Sequence, residues 1–256
     1  MNGTWLLLRR NLREGARSPV IAFFFPVVFP LFLITLVASS YERMAFIPGF
    51  PVHPYAAYMA PGMLLFAGMM GSGYSATALI LDVQTGFIDR LRLQPVTPMS
   101  LLLSRLLFDA VRVVPAVAVV LGVSVLLGGR VSNPVVNVPL LILLCSLWSV
   151  AYGGIFYVVA LRSASPQAPL AMAPLSVLLL FASTAASPMF LLPAWLQGIA
   201  RWNPFTYVIE GIRALMTGPV DGSVTAALGK GVLVLVVLTA LSQLVIVPSF
   251  SRLVDD

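Results

Sequence analysis

Charge is scarce in this chain. Asp, Glu, Lys and Arg make up 9% of its 256 residues, against roughly 25% in soluble domains. So few charges cannot cover a water-facing surface. Histidine is nearly absent: His53 stands alone, which excludes His-rich metal sites and HExxH zinc hydrolysis. Cys145 is the only cysteine, which excludes an intrachain disulfide, a cysteine zinc site and an Fe–S ligand set. No group of residues suggests a metal. The net charge is +6, but membrane chains gather positive charge in cytoplasmic loops, so no nucleic-acid partner follows.

What the chain has is apolar length: 59% of it is hydrophobic and its mean hydropathy is +0.99. A bilayer core of about 30 Å needs roughly 20 apolar residues per helix. Six stretches qualify, at about 20–39, 56–81, 106–127, 135–161, 170–186 and 228–247. The expectation is an all-α membrane protein of six transmembrane helices, with 1–256 forming a single transmembrane domain. Arg9, Arg10, Arg13, Arg17, Arg90, Arg92, Arg105, Arg112, Arg162 and Arg252 fall on one side. Arg43, Arg130, Arg201, Arg213 and Lys230 fall on the other. The richer side is expected to be cytoplasmic, with both termini inside. The first apolar run exceeds the roughly 7–15 residues of a signal-peptide core, so it is expected to stay as a span.

Three segments do more than cross. Residues 1–18 read as an amphipathic interfacial helix. Trp5, Leu8 and Leu12 form its apolar stripe, Arg9, Arg13 and Arg17 line another face, and Arg10 and Glu14 are an i,i+4 pair. It anchors the chain, docks a cytoplasmic partner, or does both. Residues 82–95 read as a short amphipathic helix on the inner surface. There Val83, Phe87 and Leu91 recur every four residues, Asp89 and Arg92 sit three apart, and Pro95 is the stop. It is either a solvated loop helix or a lever that takes force from a soluble motor. Residues 187–216 are apolar but broken by Pro188 and Pro193. Asn203 is placed to cap a short helix with Pro204 in its first turn, and Glu210 and Arg213 can pair. Short helices dipping into the outer leaflet are expected here, with Trp195, Trp202 and Tyr207 at the interface.

Arg105, Asp109 and Arg112 are spaced so that Asp109 can meet both arginines on one helix face. A local ion-paired cluster is expected rather than a proton relay. Pro26, Pro30, Pro61, Pro115 and Pro174 are expected to kink the spans they fall in.

Four patches, in order, resemble the membrane subunit of ABC type-2 exporters, the permease family that includes daunorubicin-resistance-type proteins. They are Arg17-Ser-Pro19 leading to Phe23-Phe-Phe-Pro26 and Phe29-Pro30; Tyr58-Met-Ala-Pro-Gly62; Gly86-Phe-Ile-Asp-Arg-Leu-Arg-Leu-Gln-Pro-Val-Thr-Pro98; and Asn203-Pro-Phe-Thr-Tyr-Val-Ile-Glu-Gly-Ile-Arg213. The resemblance implies a coupling helix in which Gln84, Phe87, Asp89, Arg90, Leu91 and Arg92 meet an ATPase. Gln84 and Thr85 stand where the family often has an acid, and Asp82 or Asp89 is the candidate replacement. It also implies a re-entrant motif of Asn203, Pro204, Tyr207, Glu210 and Arg213.

The partners it implies are two copies of a cytoplasmic ABC ATP-binding subunit carrying ATP and Mg, and a second permease protomer, identical or homologous. Membrane lipids surround them. The chain has no phosphate-binding loop of its own. Its sole lysine, Lys230, follows two glycines with six residues between them and precedes Gly231, where a Walker A needs four between and then Ser or Thr. The expected protein sits in the plasma or inner membrane and exports a lipophilic or amphipathic drug or lipid. The alternatives are an exporter of polysaccharide or other glycoconjugate, a membrane-embedded lipid-modifying enzyme, and a scaffold that binds an ATPase without moving cargo.

Overall fold

A computed structural model describes residues 3–94, 96–218 and 222–255, with Ile21, Phe25, Arg92, Gly222, Ser223 and 253–255 described by backbone alone. The regular elements among the described residues are all helices, with no strand. The N-terminal helix α1 (Gly3–Arg17) runs through a π-helical turn, Val20–Phe24, into α2 (Phe25–Tyr41). Then come α3 (Tyr55–Gln84), the short α4 (Phe87–Arg92), α5 (Met99–Leu126) and α6 (Pro134–Ser163). Two pieces, α7 (Ala168–Ala171) and α8 (Ala173–Phe181), precede the short α9 (Ala194–Trp202) and α10 (Pro204–Thr217). The long α11 (Gly222–Asp255) completes the chain.

Among the described residues, five helical stretches are long and apolar enough to cross a membrane: Pro26–Phe46, Tyr55–Gln84, Met99–Leu126, Pro134–Ser163 and Val224–Arg252. The stretch expected as a fifth of six spans is different. Ala168–Phe181 is shorter, about 21 Å at 1.5 Å per residue, against a core of about 30 Å. Its break has a local cause. Pro169 and Pro174 each open a new helix, in the first turns of α7 and α8, because a proline offers no N–H to the preceding turn. Pro174 therefore starts a helix rather than kinking one, while Pro30, Pro61 and Pro115 lie inside α2, α3 and α5.

α3 is the hub. It packs on α2, α5 and α6, while α11 lies against α6 and α10. In an 18-residue apolar stretch of α3, 72% of the residues are buried, against 17% in that of the first span and 22% in that of the last, so these two present mostly apolar outer faces. Close approach is built from small residues. A Cβ on Gly153 of α6 would fall 2.7 Å from Ser72 of α3, and one on Gly154 would fall 2.4 Å from Cβ of Ser242 in α11. An aromatic cluster fills the space beside this seam. Trp148 stacks on Tyr152 at 5.1 Å, and Phe205 of α10 inserts edge-on against both. The buried Trp148 indole donates to the Leu65 carbonyl at 3.1 Å, so it carries no unmatched donor into the core.

α1 corrects the expected stripe. Leu7, Leu8, Asn11 and Gly15 are its buried residues, while Trp5 is exposed. The helix is seated on protein, along α5, with Asn11 donating to Ser104 at 3.1 Å. The expected helix over 82–95 is also shorter. Asp82, Val83 and Gln84 finish α3, and Gly86, at φ 65°, makes the turn into α4. That left-handed conformation suits a residue without Cβ. Pro95, the expected stop, lies outside the described residues.

Candidate functional site

Polar and charged side chains gather at three levels of an otherwise apolar bundle. The first joins α1, α3, α4 and α5. Asp82, at the buried end of α3, takes Arg10 on one oxygen at 2.6 Å and Arg105 on the other at 2.6 Å. Glu14 lies 2.8 Å from Arg10 and 3.6 Å from Arg105. The Arg10 guanidinium also sits 4.0 Å above the ring of Phe87, a cation–π contact. Burial opposes the charge on Arg10, but bonding to Asp82 and Glu14 outweighs it and holds its pKa above the ordinary arginine value. Asp82 is thus spent inside the chain and is not a free acid for a partner.

The remaining α4 residues divide by face. Ile88 and Leu91 are buried, Phe87 is half-buried, and Asp89 is exposed. Arg90 folds back to donate to the carbonyls of Thr85 at 2.9 Å and Gly86 at 3.3 Å. Gln84 bridges to the Ala164 carbonyl at 2.9 Å, across to the loop after α6. Arg9, Arg13 and Arg17 line the exposed face of α1. The Arg92 side chain, three residues from Asp89, lies outside the described residues.

The middle level is a fully buried carboxylate. Asp109 receives Arg112 at 2.5 Å and the Ser75 hydroxyl at 2.5 Å on one oxygen, and the Tyr157 hydroxyl at 2.7 Å on the other. Three helices, α3, α5 and α6, therefore meet on one group. The expected pairing of Asp109 with both arginines is corrected: Arg112 takes it, and Arg105, one turn earlier, turns to Asp82. Room for the Arg112 guanidinium comes from Gly71, where a Cβ would lie 2.3 Å from Nη2.

At the far end from Asp82 along α3, the site answers a backbone problem. After α8 the chain leaves helical geometry, with Ser183, Thr184 and Ala185 buried. Buried carbonyls need donors. Asn203 supplies its amide N–H groups to Leu179 at 2.6 Å and Ala182 at 3.1 Å, while its Oδ1 caps α10 by accepting from Phe205 N–H at 3.0 Å. Pro204 follows in the first turn. Arg213 donates to the carbonyls of Thr184 at 2.7 Å and Tyr58 at 3.2 Å, and lies 3.8 Å above the Tyr58 ring. The Tyr58 hydroxyl also reaches Thr184, and that of Tyr55 reaches Ala186. Glu210 touches Arg213 at 2.5 Å but is itself 43% exposed. Tyr207 donates to Arg201 at the surface.

Sequence spacing exposed the local pairs and missed the cross-helix partners: Asp82 for two arginines, Ser75 and Tyr157 for Asp109, Tyr58 and Thr184 for Arg213. The available signal was that each is a polar residue set in a long apolar run.

The chain is thus an all-helical membrane protein whose buried charges are paired at such nodes. Residues 2–217 match the ABC-2 type transporter family, and the chain belongs to it. It is a membrane permease subunit without an ATPase domain, and ATP is bound by a separate subunit. Among similar proteins is ycf38 of Cyanophora paradoxa, named as a transport permease, 29% identical over 82% of this chain and 73% of that protein. DrrC of Mycobacterium tuberculosis, named as a doxorubicin resistance ABC transporter permease, is 27% identical over 85% of this chain and 78% of its own length. DrrB1 of Streptomyces coeruleorubidus, named as a daunorubicin resistance permease, is 27% identical over 64% and 58%.

Proposed function

We propose that this chain exports a lipophilic or amphipathic compound, a drug or a lipid, from the cytoplasm or inner leaflet of the cell membrane. It works with two copies of a cytoplasmic ATP-binding subunit carrying Mg and ATP, and with a second permease protomer, identical or homologous. Both termini are cytoplasmic. The observation that carries this reading is the clamp on Asp82: through Arg10, Arg105 and Phe87 it ties the surface helix α4 to α1, α3 and α5 at once. A push from the motor on Asp89 and on Leu93, which is 85% exposed, is then delivered to several helices together.

In this reading α7 and α8 form a fifth crossing, completed by 182–186, and α9 and α10 fold back from the outer side without crossing. Irregular backbone at membrane depth survives only where protein satisfies it, and the donors from Asn203, Arg213, Tyr58 and Tyr55 meet that requirement. An apolar cavity of about 300 Å³ between α2, α3 and α8, lined by Phe29, Phe66, Met70 and Val177 among others, suits lipophilic cargo. Relatives named for doxorubicin and daunorubicin resistance support the same cargo class.

The test is reconstitution with the co-purifying ATP-binding subunit. Phe87→Ala combined with Asp89→Lys is expected to cut cargo transport and cargo-stimulated ATP turnover by about tenfold, the scale of one lost charge-assisted contact, with membrane insertion unchanged. Normal coupled transport by this double variant would overturn the lever role of α4.

A further inference from the structure

We propose that a cavity between α1, α3 and α5 holds the phosphate of an anionic inner-leaflet phospholipid. The cavity, of about 190 Å³, is bounded by Asn11 and Glu14 of α1, Ser18 just beyond it, Ala78 of α3, and Arg105 and Arg112 of α5. Both arginines are nearly fully buried. Arg105 Nε has no hydrogen-bond partner, and neither has Asn11 Oδ1. Buried polar groups without partners are rare in a settled core and point to a ligand or water.

The chemistry selects an anion. A guanidinium carries five N–H donors in a fork that fits phosphate. Arg105 gives Nη2 to Asp82 and Arg112 gives Nη2 to Asp109, which leaves further donors on both. Glu14 also lines the cavity, paired to Arg10 and 3.6 Å from Arg105, so the attraction for an anion rests on the unused N–H donors of the two arginines rather than on an excess of charge. The exposed Arg9, Arg13 and Arg17 of the same helix raise the local potential further. Asn11 Oδ1 adds an acceptor suited to a hydroxyl, as on a glycerol headgroup.

Depth selects a lipid. Arg105 is level with Asp82, near the end of α3, and Arg112 lies about 10 Å further in, by helix rise. The Arg105 end of the cavity therefore lies near the ends of the spans, where basic pockets between helices bind anionic headgroups, and Arg112, midway along α5, closes its inner end. The leaflet named here rests on the proposed cytoplasmic termini; the anion chemistry does not. A headgroup seated here would fasten α1 to α3 and α5 beside the Asp82 clamp.

The test uses the full chain purified in neutral detergent, read by native mass spectrometry and thermal unfolding, neither of which depends on transport. Phosphatidylglycerol, phosphatidylcholine and soluble glycerol 3-phosphate are compared. Two variants probe the cavity: Ala78→Leu fills it without changing charge, and Arg105→Lys keeps a cation for Asp82 but removes Nε. Their lipid-free melting curves report that they fold. Phosphatidylglycerol alone is expected to be retained and to raise the midpoint, with retention falling about tenfold in each variant, the scale of one charge-assisted hydrogen bond. Equal retention of phosphatidylcholine, an equal shift from soluble glycerol 3-phosphate, or wild-type retention by both variants would each overturn the assignment.

Discussion

The two ends of the bundle solve different problems with the same residue type. Around Asp82, arginines meet carboxylates: Arg10 and Arg105 close on one acid and share Glu14. Around Arg213, an arginine meets backbone: the carbonyls of Thr184 and Tyr58, with Glu210 half-exposed at its side. The first arrangement joins complete helices to one another and to the surface helix α4. The second holds open a place where a helix has stopped. A buried ion pair fails when either charge is removed, because the other is left uncompensated. A guanidinium on carbonyls fails only when the cation goes, and its acid neighbour matters little.

That contrast can be broken at three points. The largest effect is expected for Asp82→Asn, which leaves the buried Arg105 and the half-buried Arg10 without their acid. A loss of about 3 kcal/mol follows, read as a lower unfolding midpoint of the purified protein. Arg213→Met comes next. It strips a donor from the Thr184 and Tyr58 carbonyls, but the Tyr58 hydroxyl still serves Thr184, so the loss is about 2 kcal/mol. Glu210→Gln is expected to cost under about 1 kcal/mol, because Glu210 itself is 43% exposed and the buried Arg213 keeps its carbonyl acceptors. If Glu210→Gln matched Asp82→Asn in the same melting assay, the outer end would be a charge pair and the distinction would fall.

Much of this was legible from pattern, and the failures have physical causes. Long apolar runs identify α3, α5, α6 and α11 because burial in lipid demands length. The same averaging missed the break at α7 and α8, since Pro169 and Pro174 barely lower the hydropathy of a run but remove its hydrogen bonds. The pairs Asp109 with Arg112 and Glu210 with Arg213 follow from i,i+3 spacing. The partners of Asp82, 72 and 23 residues away, could not, because which helix faces touch is decided by tertiary packing. The stripe on α1 was misplaced for a related reason. Trp5, Leu8 and Leu12 describe a helix facing lipid, whereas α1 presses Leu7, Asn11 and Gly15 against its own bundle.

The neighbouring Gly153 and Gly154 bear on how the bundle can move. Successive residues of a helix point about 100° apart, so α6 offers one bare flank to Ser72 and another to Ser242. Any turn of α6 about its long axis swings the bulk of Tyr152 or Ile155 toward one of these narrow crossings. Helices α3, α6 and α11 therefore meet at crossings that leave no room for a Cβ at either glycine. The contrast is with α2, the least enclosed span, which makes no such crossing and is entered through the π-helical turn at Val20–Phe24.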